Sequence, residues 1–279
     1  MPRAPRLKPL SLSLLLLALA CLVLSNSSAP VLAVNAAPQA AHHKPSKSKQ
    51  PAPNPPKDAP VPFRVGEVLN YSIAWAAFTY AATAQLTVAE RREFSAAAAW
   101  HFQAFAHTQN TVRSLFTVDD QFDSYTSAST LDGLQYELHL NELGRKVDRV
   151  YQFQPQGEKP FSQGPAVIVP PGARDPLGAF YSLRAVDWQK TPEVVAPVYD
   201  GHDIYEMHAS LDSPSEDIVV PAGRFSTSRI SVTPFQNHHA VPGIQVTVWI
   251  AHDPARTPAQ ILAELPFGTL HIALSPASP

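Results

Sequence analysis

The feature that most constrains this chain is a period-two alternation of apolar and polar residues that recurs from Glu67 onward. Leu69, Tyr71, Ile73 and Trp75 alternate with Val68, Asn70, Ser72 and Ala74. Leu86 and Val88 share one face of the stretch AQLTVAE. Trp100, Phe102 and Ala104 alternate with His101, Gln103 and Phe105, and Leu134, Tyr136, Leu138 and Leu140 alternate with Gln135, Glu137 and His139. The stretch VDRVYQF, from Val147 to Phe153, continues the series. Successive side chains of a strand point to opposite faces, so such runs are strands with one covered and one wet face.

The breaks between these runs are turns. Asp200-Gly201 lies between APVY and HDIYEMHA, a two-residue hairpin signal. Asp132-Gly133 precedes a strand, Gly144-Arg145 separates LHLNEL from KVDRVYQF, and Pro221-Ala222-Gly223 separates EDIVV from RFSTSRISV. Many short strands with close turns, not alternating with helices, define an all-β, mainly antiparallel fold: a curved open sheet or half-barrel with one or two short helices. One helix is expected over Pro176–Val186. Asp175 can cap it, Pro176 suits its first position, and Leu177, Phe180, Tyr181 and Arg184 recur at helical spacing on the face that packs against the sheet. A second short helix is expected around Ala259–Leu265.

The start of the chain has another character. Arg3, Arg6 and Lys8 precede an apolar run from Leu12 to Leu24, followed by the small-residue sites Val31-Leu32-Ala33 and Val34-Asn35-Ala36. This is the pattern of a secretory signal peptide, residues 1–36, cleaved near Ala33 or Ala36. The run is well short of the ~20 residues that cross a bilayer as a helix, so the mature chain is expected to have no transmembrane anchor and to be periplasmic or secreted. Cys21 lies inside the run. Ala18-Leu19-Ala20 puts the bulky residue one step out of place for lipid attachment, and Leu22-Val23-Leu24 continues the apolar core, so Cys21 reads as apolar filler, with lipidation the alternative. Cys21 is the only cysteine, and its removal leaves no disulfide, thiolate ligand or cysteine nucleophile. Residues 37–62 are rich in Pro and Lys with no large apolar residue before Val61, and read as an extended tether. Residues 63–275 then form a single β domain.

Charge narrows the partners. Seven of the 21 Lys and Arg residues but only one of the 23 Asp and Glu residues fall within residues 1–62, which leaves 14 basic and 22 acidic residues beyond. An acidic domain behind a basic tether argues against a nucleic-acid partner.

Segments taken in order resemble a known family: FRVGEVLNY from Phe63, DPLGAFYSLR from Asp175, VVPAGRFSTSR from Val219, WIAHDPARTP from Trp249, and Phe267-Gly268-Thr269-Leu270. Together they are similar to the exported bacterial proteins grouped as domain of unknown function 3108, over nearly all of Phe63–Leu274. The resemblance implies a curved antiparallel sheet like that of periplasmic lipoprotein carriers, in which a half-open barrel faces a helix around an apolar cavity. It marks Asp175, Tyr181, Arg184, Gly223, Trp249, Asp253, Arg256 and Gly268 as motif positions. One departure is the alanine-rich AWAAFTYAATA after Ile73, where such proteins often carry Gly, which puts a tight bend there in question.

The chemistry of these residues reads as structural. Asp253-Pro254 starts a turn, its carboxylate bonding backbone N–H groups, with Arg256 close enough to pair with it. Trp249 reads as core or cavity wall, Asp175 as a cap and Arg184 as a cation on the helix face. The histidine pairs His42-His43 and His238-His239 do not have the spacing of a zinc site, and no HxxxH or HExxH occurs among the 11 histidines. No GxSxG, GxGxxG or GxxxxGK[ST] occurs, and acid pairs such as Asp119-Asp120 have no geometry of their own in sequence. We therefore expect no catalytic residues, no metal and no cofactor. The expected protein is a non-enzymatic envelope protein holding an apolar or lipid-like ligand in a curved sheet. The alternative is a structural or interaction module with a filled core and an envelope protein as partner.

Overall fold

The computed structural model describes residues 57–94, 97–157 and 166–276. The expected signal peptide, Cys21, His42-His43 and most of the tether lie outside the described residues. The strands are β1 (Val68–Trp75), β2 (Phe78–Phe94), β3 (Ala97–Thr108), β4 (Asp119–Ser127), β5 (Gly133–Glu142), β6 (Arg145–Pro155), β7 (Ala166–Val169), β8 (Glu193–Tyr199), β9 (Ile204–Val220), β10 (Gly223–Gln236), β11 (His239–Ala240), β12 (Gln245–Ala251), β13 (Pro258–Leu265) and β14 (Gly268–Leu274). Two helices interrupt them, α1 (Asn110–Leu115) and α2 (Pro176–Ala185).

The strands form one sheet in the order β7-β6-β5-β4-β3-β2-β1-β14-β13-β12-β10-β9-β8, with β11 paired to β10. It consists of two meanders, β1–β7 and β8–β14, joined in the middle where β1 pairs with β14, Tyr71 opposite Leu274 and Ile73 opposite Ile272. All these pairings are antiparallel except β6·β7. The sheet curls into a nearly closed barrel, and the segment between β7 and α2 spans the remaining gap. The Arg174 amide donates to the Pro197 carbonyl, the Tyr199 amide donates to the Arg174 carbonyl, and the Gly133 amide donates to the Ala173 carbonyl. Tyr199, at the end of β8, packs edge-on against Tyr151 and Phe153 of β6 across the same gap. The end of the β8 edge is thereby paired, through the bridge between Arg174 and Val198.

The alternation places the core. Tyr71, Ile73, Leu86, Val88, Phe102, Ala104, Tyr136 and Leu138 are all buried inside the barrel. Packing also reaches back beyond Phe63. Asp58 accepts both arms of the Arg91 guanidinium, and the Ala59 amide donates to the Ala128 carbonyl. The alanine-rich bend is tight after all: Trp75 pairs with Phe78 across Ala76-Ala77, with Ala76 at φ 50° in the left-handed region. A non-glycine residue there costs about 1–2 kcal/mol.

Three local expectations are corrected. Residues 258–265 form β13, not a helix. Ile261, Ala263 and Leu265 point inward at period two, and pairing with β12 and β14 on both sides overrides the helical preference of Ala, Gln, Leu and Glu. Asp200-Gly201 belongs to a four-residue loop between Tyr199 and Ile204, in which Asp200 Oδ1 accepts the amides of His202 and Asp203. Leu134 does not share the inner face with Tyr136. The register slips where Tyr125 faces Gln135 but Thr126 faces Gly133, so a bulge turns Leu134 outward onto Ala99, Tyr125 and Phe94.

Candidate functional site

Helix α2 is enclosed by the barrel rather than laid on a sheet face, since eight of its ten residues are buried. Its N-terminus is built as the sequence predicts. Asp175 Oδ1 accepts the Gly178 amide at 2.9 Å, and Oδ2 accepts the Ser124 hydroxyl of β4 at 2.6 Å. Asp175 is fully buried, and that burial pushes its carboxyl up to about 6 against the hydrogen bonds that favour the charged form. A Cβ on Gly178 would lie 3.0 Å from Asp175 Oδ2 and from Thr126 Oγ1, so only glycine lets the helix approach β4 this closely. Tyr181 stacks on Phe102 with ring centroids 3.9 Å apart, and Phe63 meets both edge-on.

The other end of α2 is held by Arg184. This side chain lies on the packed face of the helix and is 1% exposed. It donates to both oxygens of Glu67 at 2.6 and 2.9 Å, to the Ala255 carbonyl at 2.8 Å and to the Arg256 carbonyl at 3.2 Å. Arg256 reciprocates from the β12–β13 turn, donating to the carbonyls of Arg184 and Val186. It forms no ion pair with Asp253 among the described residues. Asp253 instead accepts the Thr257 amide and hydroxyl and so shapes the turn that presents Arg256. Five of the eight motif positions, Asp175, Tyr181, Arg184, Asp253 and Arg256, thus converge on the docking of one helix. Glu67, which completes the set, carries no sequence signal of its own.

The remaining motif positions lie elsewhere. Gly223 opens β10 after the Pro221-Ala222 turn with φ 134°, and Gly268 opens β14 with φ 130°. Trp249 is buried, as expected, but does not line the interior space. It faces outward from β12 in register with Arg229 and Gln260, while its neighbours Val248 and Ile250 face the core.

Between α2 and strands β8–β13 lies an interior space of about 30 Å3, walled by Ala179, Phe180, Leu183, Met207, Val232 and Val248 among others. The walls are hydrocarbon apart from Tyr205, whose hydroxyl reaches toward Asp203. A space of this size holds a water or a methyl group, far below the roughly 300–1,000 Å3 of a ligand pocket. Four acidic side chains are buried among the described residues, Asp120, Asp123, Asp175 and Asp200, and in Asp175, Asp120 and Asp200 burial raises the carboxyl to about 6, about 7 and about 6.

Two other clefts are open and more polar. One, of about 230 Å3, lies beside the end of α2 and contains Trp188, Ser228, His252 and Arg256. Ser228 Oγ is 3.0 Å from His252 Nε2 and 3.1 Å from the Pro214 carbonyl. No carboxylate is bonded to the other nitrogen of His252 among the described residues, so the pair lacks the third member of a hydrolytic triad. The other, of about 790 Å3, runs beside β1–β3 past Tyr80, Phe105 and His107. The His238-His239 pair sits at the β10–β11 turn, both residues exposed. Among the described residues no helix is long and apolar enough to cross a membrane.

Fold and site together define a class: a nearly closed, mainly antiparallel β-barrel enclosing a crossover helix over a small apolar space. The chain belongs to the family described as Protein of unknown function (DUF3108), whose model matches residues 70–275. Among solved structures it is similar to a beta-barrel-like protein of domain of unknown function DUF1849 from Brucella abortus. That likeness has a TM-score of 0.50 at 8% identity and covers 75% of this chain and 95% of that one, so it is one of fold. More distant likenesses are to a protein described as exported with a YmcC-like fold from Bacteroides fragilis and to a protein described as a lipoprotein from Parabacteroides distasonis. Their TM-scores are 0.36 and 0.33 at 10% and 11% identity, covering 80% and 79% of this chain and 100% and 99% of theirs. No curated protein matches the chain.

Proposed function

We propose that this is an exported, non-enzymatic protein that takes an apolar, acyl-like chain between helix α2 and the inner face of β8–β13. The observation that supports the reading is the apolar space already present there, walled by hydrocarbon and roofed by a helix that is pinned at its ends. Polar groups that would orient a hydrophilic ligand do not face it, Tyr205 apart. At about 30 Å3 the space is that of a closed form. Uptake of a chain then requires α2, which supplies Ala179, Phe180 and Leu183 to the wall, to move away from the strands.

The same small volume favours a second reading, an envelope interaction module with a filled core. Titration of the full chain with a fluorescent long-chain fatty acid separates the two. Saturable binding at one site per chain, weakened by Ala179→Leu, which fills the space from the helix side, supports the binder. The absence of saturable binding in both proteins sinks it and leaves the filled-core module.

A further inference from the structure

We propose that Asp123, Glu137 and His139, on the outer face of β4 and β5, form a binding site for a divalent transition-metal ion of the Zn2+ type, with Asp148 orienting the histidine. Sheet register brings the residues together. Asp123 lies directly opposite Glu137, and His139 directly opposite Asp148 of β6. Glu137 and His139 are two apart in β5 and share its outer face, the inner face being taken by Tyr136 and Leu138.

The donor atoms converge. His139 Nε2 is 3.3 Å from Glu137 Oε2 and 3.9 Å from Asp123 Oδ2, and one ligand atom from each of the three lies within 4.8 Å of the others. Three donors bound to one zinc ion at ~2.0–2.2 Å are about 3–4 Å apart, so small side-chain rotations close the set. His139 Nδ1 is 2.8 Å from Asp148 Oδ1. A histidine whose second nitrogen is bonded to a carboxylate is the usual arrangement of a metal-ligating imidazole, because the carboxylate fixes the tautomer and ring orientation.

The carboxylates are held in place by other groups. The side chain of Asp123 is 5% exposed, and it receives His101 Nε2 at 2.6 Å, Gln103 Nε2 at 2.8 Å and Gln121 Nε2 at 2.7 Å. His101 is fixed in turn by stacking on Tyr125, ring centroids 4.4 Å apart. Glu137 Oε1 accepts Gln135 Nε2 at 2.6 Å, which leaves Oε2 turned toward His139.

Charge argues the same way. Three carboxylates face two imidazoles here, and neither Lys nor Arg pairs with Asp123, Glu137 or Asp148 among the described residues. His139 Nε2 stands beside one oxygen of each of two carboxylates, and a metal ion placed among the three meets all of these donors. One nitrogen and two oxygen donors suit a borderline ion, and the partial exposure of Glu137 and His139 leaves coordination positions for water or an external ligand.

The test is calorimetric titration of ZnCl2 into the chelator-stripped full chain, compared with three variants. His139→Gln removes a ligand, Asp148→Asn removes only the orienting carboxylate on an exposed side chain, and His208→Gln alters a surface His–Glu pair outside the site. The expected result is one zinc ion per chain in the wild type and in His208→Gln. That event is lost in His139→Gln and weakened about 10–100-fold in Asp148→Asn. Isotherms for His139→Gln and Asp148→Asn that match the wild type overturn the proposal, and because Asp148 lies outside the core, its variant tests the site even if His139→Gln fails to fold.

Discussion

Arg184 and Glu67, 117 residues apart, form a bidentate ion pair at 2.6 and 2.9 Å that ties the end of α2 to the lead-in of β1. The guanidinium also caps two carbonyls of the β12–β13 turn and lies over the rings of Phe63 and Tyr181. One side chain thus joins the first meander, the crossover helix and the second meander. Breaking a buried pair leaves an uncompensated charge, which costs more than the pair contributes. Glu67→Gln is expected to destabilise the fold by about 3 kcal/mol, and Arg184→Met by at least as much because it also orphans two carbonyls. Urea denaturation followed by circular dichroism measures both, and a loss below about 1 kcal/mol for either would show that the pair does not hold the helix.

Gly178→Ala provides a local test of helix docking. In an exposed helix this change stabilises by about 1 kcal/mol. Here the new Cβ would lie 3.0 Å from Asp175 Oδ2 and Thr126 Oγ1 and 3.1 Å from Ser124 Oγ, three atoms fixed to one another by hydrogen bonds. Overpacking of this kind costs about 1–3 kcal/mol, so the net effect is expected to be a lower melting temperature. A higher one would mean that the helix does not sit against β4.

The buried carboxyls set a pH dependence. Asp120, Asp175 and Asp200 are raised chiefly by burial, to about 7, about 6 and about 6, from an unfolded value near 3.8. Each holds its proton more tightly in the folded chain, so its stabilising contribution is complete below about pH 4 and is lost as pH rises through about 6 to 7. Asp119, held down to about 2 chiefly by its hydrogen bonds with Arg113, acts in the opposite sense, but its window lies below that of the other three. The melting temperature is therefore expected to fall between pH 5 and pH 8. Asp175 alone accounts for roughly 1–2 kcal/mol of this by linkage, the rest of its loss falling between about pH 4 and pH 5. Asp175→Asn keeps a capping oxygen and is expected to flatten the profile. An unchanged slope in that variant would exclude Asp175 as a source.

The apolar space can be filled. Val232→Ile adds one methylene to a wall of the roughly 30 Å3 cavity. If the space is as placed, the variant gains up to about 1 kcal/mol of stability and binds an acyl chain more weakly. Destabilisation on the same thermal scan would show that the wall is already close-packed.

Much of the barrel was legible because its strands have two different faces. Tyr71, Ile73, Leu86, Phe102 and Tyr136 alternate with polar neighbours, and the alternation alone puts them inside. The cap at Asp175 and the length of α2 followed from local rules that hold in any tertiary setting. Leu134 escaped because a bulge reverses its face without changing the sequence pattern. β13 escaped because Gln260, Ala263 and Glu264 favour helix and only pairing on both sides makes them strand. The partner of Arg184 and the outward face of Trp249 escaped for one reason: residue type states what a side chain can do, not which neighbour or which side of the sheet it meets. Glu67 beside Arg184 is a product of helix docking and Asp123 opposite Glu137 of strand register, and neither carries a short-range spacing. Alternation also cannot separate a filled core from a cavity, since the same apolar face lines both.

The measurement that tests the central claim most directly is native mass spectrometry, with lipid extraction, of the full chain purified from the envelope of an expression host. An apolar ligand at about one per chain, released when α2 is loosened by Glu67→Gln, is the predicted result. A ligand-free mass for the wild-type chain, with no lipid in its extract, would contradict the claim and identify the barrel as a closed core.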